Sequence, residues 1–477
     1  MSVLAQGEFH PFTAAGRRFL YLVPSAAVFA LDEPAAALID GLDGRRVPRE
    51  DLLADVGARF PDTDLGQTLD ELEQVHAVRT VAAPAPPTSP APAIIPLTPF
   101  PLTTAVLNVT NQCNLSCTYC YEYSEDKIVD TTTGAQPKFM SEETARKSVD
   151  LLMNESGDNR VVHVSFFGGE TLMNYPVLSR VVPYAREQAE ARGKRVEFNL
   201  TTNATLLTGE MIGFLAENDI SVTVSIDGPR EMQNRFRVFH DGRGSYDELL
   251  PRVRELLRRH KSRPIGARVT LTSQVSDVVS IFRHLTEEIG FQEVGFAPVT
   301  TAPGREYALG GEGFDRMVEQ FTALADEFLE AALAGKNHGF SNVSETLEEI
   351  HKGASKAYPC GAGLGLVGVA TGGDVGLCHR FAGSDEHKLG TVDDGLDREA
   401  QNAFLERHHL ANKTDCHTCW ARPLCSGGCY HEAHTRYGTS AQPNLHYCEW
   451  IRGWTDVCLK VYGELAARNP EFLRQFE

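Results

Sequence analysis

The sequence predicts an α/β protein whose central region is built on a parallel β-sheet. From residue 103 to about residue 300, short apolar or alternating stretches typical of strands take turns with longer stretches of helical periodicity. Strands joined by crossover helices pair in parallel, because each helix returns the chain to the same end of the sheet. Six strands follow, in a partial barrel or an open sheet: 104–109, 161–167, 195–201, 221–226, 267–272 and 293–297.

Helices are predicted between these strands and after them. The clearest are 142–154, with Ser141 as N-cap, and 246–260. A further helical stretch covers about 313–352, after which glycine and cysteine replace periodic structure. Sites in parallel α/β folds lie at the C-terminal ends of the strands, so we expect the functional residues there.

A separate module is predicted before the sheet. Strands at 17–23 and 26–30, followed by helices near 32–42, 49–58 and 66–76, indicate a small α+β unit similar to a winged helix. It is either a structural cap or a peptide-binding module that accepts an extended strand on its sheet edge. Residues 82–101 (AAPAPPTSPAPAIIPLTPFP) are too rich in proline for a strand ladder and are predicted to be an extended linker.

Composition narrows the classes of function. The 477 residues carry a formal net charge of −19, which argues against a nucleic-acid partner because phosphate binding needs a basic surface. The N-terminal residues show no secretory signal, and no apolar run is long enough to span a membrane. We therefore expect a cytoplasmic protein in which eleven cysteines indicate metal chemistry rather than disulfides.

The stretch CNLSCTYC places Cys113, Cys117 and Cys120 on a loop directly after the first strand of the sheet. Three thiolates at this spacing can hold a cubane iron–sulfur cluster and leave its fourth iron open to a small molecule. Zinc with a distant fourth ligand is the alternative.

This loop, with Tyr119 before its last cysteine, resembles the signature of radical S-adenosylmethionine (SAM) enzymes. In that family the open iron binds SAM, and reductive cleavage yields a 5′-deoxyadenosyl radical that abstracts hydrogen from carbon. The resemblance implies a partial (β/α)6 TIM-like barrel. It also implies SAM contacts at strand ends from Gly168, Gly169, Glu170, Asn203, Ser225 and Asp227, with Arg237 pairing with the SAM carboxylate.

Eight further cysteines follow the barrel, and all but Cys458 form one spaced pattern. Zinc-ribbon binding by residues 416–429 is an alternative on spacing alone. The pattern resembles the SPASM extension of peptide-modifying radical SAM enzymes, which carries two auxiliary [4Fe–4S] clusters. The resemblance assigns Cys360, Cys378 and Cys429 to cluster I, where an open iron able to bind a substrate thiol is expected. It assigns Cys416, Cys419, Cys425 and Cys448 to cluster II.

Three nearby features need separate interpretation. Cys458 is expected to be a buried structural cysteine. His379 follows Cys378, where some relatives place an acidic residue near the substrate, so it is either a proton acceptor or a structural histidine. Residues 363–368 (GLGLVG) match a dinucleotide motif only in letters, and a hairpin is predicted there instead.

The loop NVTNQCNLSCTYCYEYSEDK and the stretch FLYLVPSAAVFALDE are most similar to the maturation enzymes of quinohemoprotein amine dehydrogenase. Those enzymes join cysteine sulfur to methylene carbons of Asp or Glu in the dehydrogenase's small subunit. The resemblance implies three [4Fe–4S] clusters, SAM, a substrate polypeptide bound partly by residues 1–81, and an electron donor such as flavodoxin or ferredoxin. The expected domains are 1–81, a radical SAM barrel over 102–350 and a SPASM domain over 351–477. Another maturase (an α-carbon thioether or formylglycine former) and a zinc-ribbon peptide chaperone remain alternatives.

Overall fold

The N-terminal module consists of two small antiparallel sheets and three helices. The computed structural model describes residues 2–81, 100–129 and 136–477, so nearly all of the predicted linker lies outside the described residues. The strand orders are β5-β1-β6 and β2-β3-β4, and the strands and helices predicted at 17–76 are present. The elements are β1 (Val3–Gln6), β2 (Phe9–Ala14), β3 (Arg17–Leu22), β4 (Ala27–Leu31), α1 (Glu33–Leu42), β5 (Val47–Pro48), α2 (Arg49–Gly57), α3 (Leu65–Gln74) and β6 (Val78–Val81).

Strand β3 is buried on both faces, which explains its continuous apolar run. Leu20 and Leu22 belong to the module's own core, with the helices α1 to α3. Phe19 and Tyr21 point the other way and join the large core of the rest of the protein. Successive side chains of a strand point to opposite faces, so this one strand links the two cores.

The central sheet confirms the predicted α/β architecture. Six strands run in parallel and in chain order from β7 to β12, and helices connect them. Ser141 caps the first of these helices, since its Oγ accepts a hydrogen bond of 3.0 Å from the amide of Thr144. The strands are β7 (Thr104–Asn108), β8 (Val161–Phe167), β9 (Arg195–Thr202), β10 (Ser221–Ser225), β11 (Ile265–Leu271) and β12 (Glu293–Pro298). The helices are α4 (Glu142–Glu155), α5 (Tyr175–Glu190), α6 (Gly209–Glu217), α7 (Arg230–Phe236), α8 (Tyr246–Arg259) and α9 (Val278–Arg283).

The helical stretch predicted at 313–352 is two helices, α10 (Gly311–Leu333) and α11 (Ser341–His351). The break contains Gly335 and Gly339, both with positive φ (68° and 86°). A left-handed backbone ends an α-helix, and glycine adopts it without steric strain. Adding a side chain at Gly339 would place its Cβ 2.4 Å from the carbonyl oxygen of Gln292.

The cysteine-rich region extends the central sheet instead of forming a separate one. β13 pairs in parallel with β7 and antiparallel with β14, which gives a sheet of ten strands. The predicted hairpin is therefore displaced: residues 363–365 form a turn before β13, and the hairpin turn lies at 370–373, where Gly373 has φ 97°. The elements are β13 (Leu366–Val369), β14 (Asp374–Gly376), β15 (Lys388–Thr391), β16 (Gly395–Leu396), α12 (Arg398–His408), α13 (Arg422–Cys425), α14 (Tyr430–Tyr437), α15 (Cys448–Arg468) and α16 (Pro470–Leu473).

The long C-terminal helix α15 holds the regions together. Trp450 and Trp454 pack edge-on against Phe321 of α10, at ring-centroid distances of 4.9 and 5.2 Å. Gly463 lies against β2, where an added Cβ would stand 2.7 Å from the Cβ of Ala14. In the described part of the chain, no helix is both long enough and apolar enough to cross a bilayer.

Candidate functional site

The loop with the first three cysteines begins directly after β7, at the C-terminal edge of the parallel sheet. Turns hold it: the amide of Cys120 donates to the carbonyl of Cys117 (3.1 Å), and the amide of Leu115 donates to the Sγ of Cys113 (3.4 Å). Burial raises the pKa of Cys113, Cys117 and Cys120, the last to about 12. Negative charge on Cys117 raises the pKa of the other two further, so the three thiols face a common space.

The three thiols of the cysteine loop do not meet at the position of a single metal ion. One zinc ion binds four ligands at about 2.3 Å, which places its sulfur ligands about 3.8 Å apart. Among the described residues, the only three side chains that bring ligand atoms within 4.8 Å of one another are Glu386, His387 and His434. The thiols of the cysteine loop are more widely spaced, as expected where each thiolate binds a different iron.

Gly168 and Gly169, after β8, pack directly on this loop. A Cβ at Gly168 would lie 2.4 Å from the carbonyl oxygen of Thr110, and one at Gly169 would lie 2.4 Å from that of Gln112. A Cβ atom does not approach a carbonyl oxygen this closely, so both positions require glycine.

Glu170, which completes this predicted motif, is 1% exposed. Its carboxylate accepts hydrogen bonds from the amides of Leu172 (3.0 Å) and Asn203 (2.7 Å) and from the hydroxyl of Thr202 (2.7 Å). The carboxylate thus joins the ends of β8 and β9.

Asn203, at the end of β9, reaches the cysteine loop. Its Nδ2 donates to Asn114 Oδ1 (3.0 Å) and lies 3.9 Å from the Sγ of Cys113, while its Oδ1 accepts from Thr205. The structure therefore brings together the predicted cysteine and asparagine positions.

Asp227 and Arg237 are also brought together. The Nε of Arg237 donates to Asp227 Oδ2 (2.9 Å), and its Nη2 donates to Oδ1 (3.1 Å). Asp227 also accepts from the hydroxyl of Tyr119 and from the amide of Thr270. In the described residues the Nη1 of Arg237 has no hydrogen-bond partner, and neither does the hydroxyl of nearby Ser225.

The three cysteines assigned to cluster I converge from distant parts of the chain. Burial raises the pKa of Cys360, and that of Cys378 to about 12, and the charge of Cys429 adds to both increases. The structure brings no fourth cysteine into this set.

The four cysteines assigned to cluster II line one cavity of about 240 Å³, together with Arg422, Trp450 and Arg452. Burial raises the pKa of Cys416 to about 11, and Cys425, Cys419 and Cys448 contribute to the increase. Both sets have the thiol donors that an iron–sulfur cluster needs. The cluster II set lines a cavity, whereas Cys360 and Cys429 of the cluster I set are exposed. Cys458 is fully buried inside α15, as expected for a structural cysteine.

His379 lies between the loop of the first three cysteines and the cysteines assigned to cluster I. Its ring is 4.4 Å from that of Phe167 and 6.3 Å from that of Tyr121. Burial, with a smaller contribution from Arg380, lowers the pKa of His379 to about 3, so the imidazole is neutral near pH 7 and a weak base.

Four residues of this region escaped the sequence analysis. Tyr121, Glu122 and Arg380 line the cleft that also contains His379, and the ring of Tyr121 lies against the guanidinium of Arg380. The fourth residue, Arg268, lies near enough to Arg380 for their charges to interact. The doublet Cys378–His379 marked the position, but only the fold brings Arg380 to Tyr121.

A three-cysteine loop after the first strand of a six-strand parallel sheet is the arrangement expected of a radical SAM domain. Residues 107–273 match the sequence model of the Radical SAM superfamily. Such a domain holds one [4Fe–4S] cluster and SAM, and the convergent thiols and glycine-lined strand ends described above fit both.

Relatives are similar over most of the chain. The serine-type anaerobic sulfatase-maturating enzyme of Bacteroides thetaiotaomicron is 27% identical over 376 residues, which cover 73% of this chain and 86% of that protein. A cysteine-type anaerobic sulfatase-maturating enzyme of Clostridium perfringens (strain 13 / Type A) is 24% identical and covers 73% and 94%. The solved structure of native anSMEcpe with bound AdoMet superimposes with a TM-score of 0.64 at 21% identity, covering 79% of this chain and 99% of that one. Streptococcus suis SuiB bound to precursor peptide SuiA gives a TM-score of 0.52 at 14% identity over 94% and 100%. These likenesses establish the fold.

Proposed function

We propose that this protein is a radical SAM enzyme that modifies a ribosomally made polypeptide by forming thioether bonds. The bonds join cysteine sulfur to methylene carbons of Asp or Glu, and the substrate is the small subunit of a quinohemoprotein amine dehydrogenase. One observation carries the proposal: Tyr121, directly after Cys120, has its ring 4.5 Å from the guanidinium of Arg380, two residues after Cys378. The radical-forming loop and the cluster I cysteines therefore border one space.

The names of the relatives support a polypeptide substrate. Two are sulfatase-maturating enzymes, and two structural neighbours were solved with a bound peptide, anSMEcpe with Cp18Cys peptide and SuiB with SuiA. Cysteine-rich auxiliary sites beside the radical SAM loop suit a reaction that must also remove an electron from the substrate.

The N-terminal module is proposed to hold part of the substrate. Among the described residues β4 pairs with β3 alone, so its other edge could accept an added strand. Beside it lies a cleft of about 490 Å³ between β3, β4 and α3, lined by Leu20, Leu22, Leu31, Leu72, Val75 and the 39%-exposed Phe29, among others. An extended peptide on this edge would gain backbone hydrogen bonds and place alternate side chains in the cleft.

The chain's own residues would position the reactants. When bound, the cluster at the three-cysteine loop and SAM supply a radical that removes hydrogen from carbon. Arg237, held by Asp227, keeps Nη1 available for the SAM carboxylate, and Asn203 and Ser225 present polar groups at neighbouring strand ends. Gly168 and Gly169 let the strand end approach the loop closely.

The auxiliary sites would serve the substrate sulfur and the remaining electron. Cys360, Cys378 and Cys429 would hold cluster I and leave an iron open for the substrate thiolate, and the four-cysteine cavity would hold cluster II. Each bridge requires that one C–H and one S–H bond are lost and one C–S bond forms. A reducing partner such as flavodoxin or ferredoxin would start the reaction.

Co-expression with an acidic, cysteine-containing polypeptide encoded nearby tests the proposal. Mass analysis should show a loss of two hydrogens per bridge, with fragmentation placing each link on Asp or Glu. The purified anaerobic protein should contain about twelve irons per chain, as three four-iron clusters require. Iron near four per chain, or a product without such links, would contradict the proposal.

The similarity to sulfatase-maturating enzymes favours one second candidate, a formylglycine former. Its product would carry an aldehyde instead of a cross-link, so the same mass analysis separates the two. A product linked at an α-carbon would identify the other kind of maturase. A zinc-ribbon chaperone would be colourless and would not cleave SAM with dithionite.

A further inference from the structure

We propose that Arg380, with Arg268 beside it, forms the pocket that receives the acidic side chain of the substrate. This inference rests on the proposed function and deepens it, since it assigns recognition of the Asp or Glu carboxylate to two residues of this chain. Four observations support it: the environment of Arg380, its unused donors, the second guanidinium, and the polar space around both.

Arg380 is surrounded by protein, but part of its side chain remains accessible to solvent. It therefore lines an internal space. Its guanidinium stands 4.5 Å from the ring centroid of Tyr121, and its Nη1 donates to the hydroxyl of Thr300 (2.9 Å). Tyr121 follows the first cysteine loop, and Thr300 follows β12. The Arg380 side chain therefore lies between the loop that follows β7 and the segment that follows β12, which are the first and last of the six parallel strands.

Most of its hydrogen-bonding capacity is unused. A guanidinium has five N–H donors, and the bond to Thr300 is the only one that Arg380 makes with a described residue. No carboxylate of the described residues forms an ion pair with it, but two lie near it. In the same cleft, burial raises the pKa of Glu122 and the charge of Arg380 opposes this rise, and Glu432 acts on the charge of Arg380. The cysteines of cluster I supply negative charge nearby, but they do not fill the planar fork.

Arg268 is an exposed second cation, on β11, whose pKa is affected by the charge of Arg380. It lies on the face of β11 that also carries Thr270, the partner of Arg237, and adding a Cβ to Gly295 would place it 3.0 Å from Arg268 Nη1. Burial lowers the pKa of Arg268; the attraction of Glu345 opposes this, and repulsion by Arg380 adds to it. The Arg268 guanidinium makes no hydrogen bond or ion pair with another described residue, whereas its backbone carbonyl accepts from the amide of Ile226 (3.1 Å). Two guanidinium groups that repel each other are stabilised together when an anion binds between them.

The surroundings of Arg380 have the polarity for a substrate carboxylate, although the cleft beside it has a volume of only about 20 Å³. A carboxylate matches the fork of Arg380 through two parallel hydrogen bonds, which an amide cannot reproduce. A carboxylate held there would leave its methylene carbons between the loop of Cys120 and Cys378. The cleft beside Arg380 is lined by Asn108, Asn111, Tyr121, Glu122 and His379, among others.

Binding of small probes tests this pocket without requiring any modification. The cluster-loaded protein is titrated anaerobically with N-acetyl-glutamic acid N-methylamide and with the glutamine analogue, and binding is followed by saturation-transfer NMR and calorimetry. We expect the acidic probe to bind at least about tenfold more tightly, which corresponds to about 1.4 kcal/mol. Arg380→Met should remove this preference, Arg380→Lys should keep part of it because the charge remains without the fork, and Arg268→Met should reduce it.

Arg283→Met serves as the matched control, because Arg283 is an exposed arginine paired with Glu327 (3.0 Å) far from the cavity. It should keep the full preference, and iron content and SAM cleavage should be measured for every variant. If Arg380→Met loses iron, the test depends instead on the binding of the two probes by the wild-type protein and by Arg268→Met. Equal binding of the two probes by the wild-type protein, or an unchanged preference in Arg380→Met with full iron, would overturn the inference. If the enzyme forms the thioether product but does not bind the acidic probe more tightly, only the proposed pocket is contradicted. If it binds the acidic probe more tightly but forms no thioether product, only the proposed reaction is contradicted.

Discussion

Asp227 and Arg237 form a buried, bidentate ion pair at the C-terminal edge of the parallel sheet, with Nε–Oδ2 and Nη2–Oδ1 distances of 2.9 and 3.1 Å. Asp227 is fully buried and Arg237 is 8% exposed. Tyr119 of the cysteine loop donates to the same carboxylate. The pair therefore fixes the cysteine loop relative to β10 and β11, in addition to any contact with SAM.

Asp227→Asn should destabilise the protein strongly, because the charge of Arg237 would remain buried without its partner. Breaking one side of a buried pair costs about 3–5 kcal/mol. Denaturant unfolding measures this loss. The control is Asp247→Asn, since Asp247 pairs with Arg230 at the surface and should contribute less than about 1 kcal/mol. Equal effects of both substitutions would contradict the structural role.

Gly169→Ala should weaken SAM binding by at least about tenfold. The new Cβ would lie 2.4 Å from the carbonyl oxygen of Gln112, so the strand end must move away from the cysteine loop. Equilibrium dialysis with SAM measures the effect. Gly304→Ala is the matched control, because its Cβ would meet nothing within 4 Å, and its SAM affinity should be unchanged.

Removing cysteine sets should remove irons in groups of four. Replacing Cys113, Cys117 and Cys120 with Ala should lower the iron content from about twelve to about eight and abolish SAM cleavage. Replacing Cys416 and Cys419 should also lower iron to about eight but preserve SAM cleavage by the first cluster. Cys458→Ala should keep all the iron, because Cys458 is buried in the core of α15. Loss of iron in Cys458→Ala would assign that thiol to a cluster.

Stability should fall between pH 7 and pH 5 because of buried His408. Burial lowers the pKa of His408 to about 4, although a hydrogen bond with the Phe404 carbonyl opposes the shift. A histidine with a lowered folded pKa contributes its full stability above its unfolded pKa of about 6.5. That contribution is lost as the pH falls from there toward the folded pKa.

The expected loss from this one group is about 2 kcal/mol at pH 5. Urea unfolding at both pH values measures it, and His408→Gln should show a smaller decrease, since glutamine does not titrate. An identical decrease in the two proteins would exclude His408 as the cause.

The sequence predicted the parallel strands well because their signal is local. Stretches such as VVHVSFF (β8) and the N-cap Ser141 carry their structure in their own residues. β13 was missed as a sheet strand, because the four residues LVGV show their role only when they pair with β7. The cysteines were located by spacing, but Arg268 and Arg380 were not found, because 111 residues lie between them and only the fold brings their charges near each other. The bond between Glu170 and Asn203 was hidden for the same reason.

The two-sided burial of β3 has a consequence for how the protein is made. Phe12 and Phe19 emerge from the ribosome early in synthesis, but α15, the helix that covers them, emerges almost last. The N-terminal module can close its own core at once, while its second apolar face waits for the end of translation. The nascent chain therefore exposes an apolar surface for most of its synthesis. A truncated chain without α15 should aggregate or bind chaperones, even though every cysteine loop before residue 448 is present.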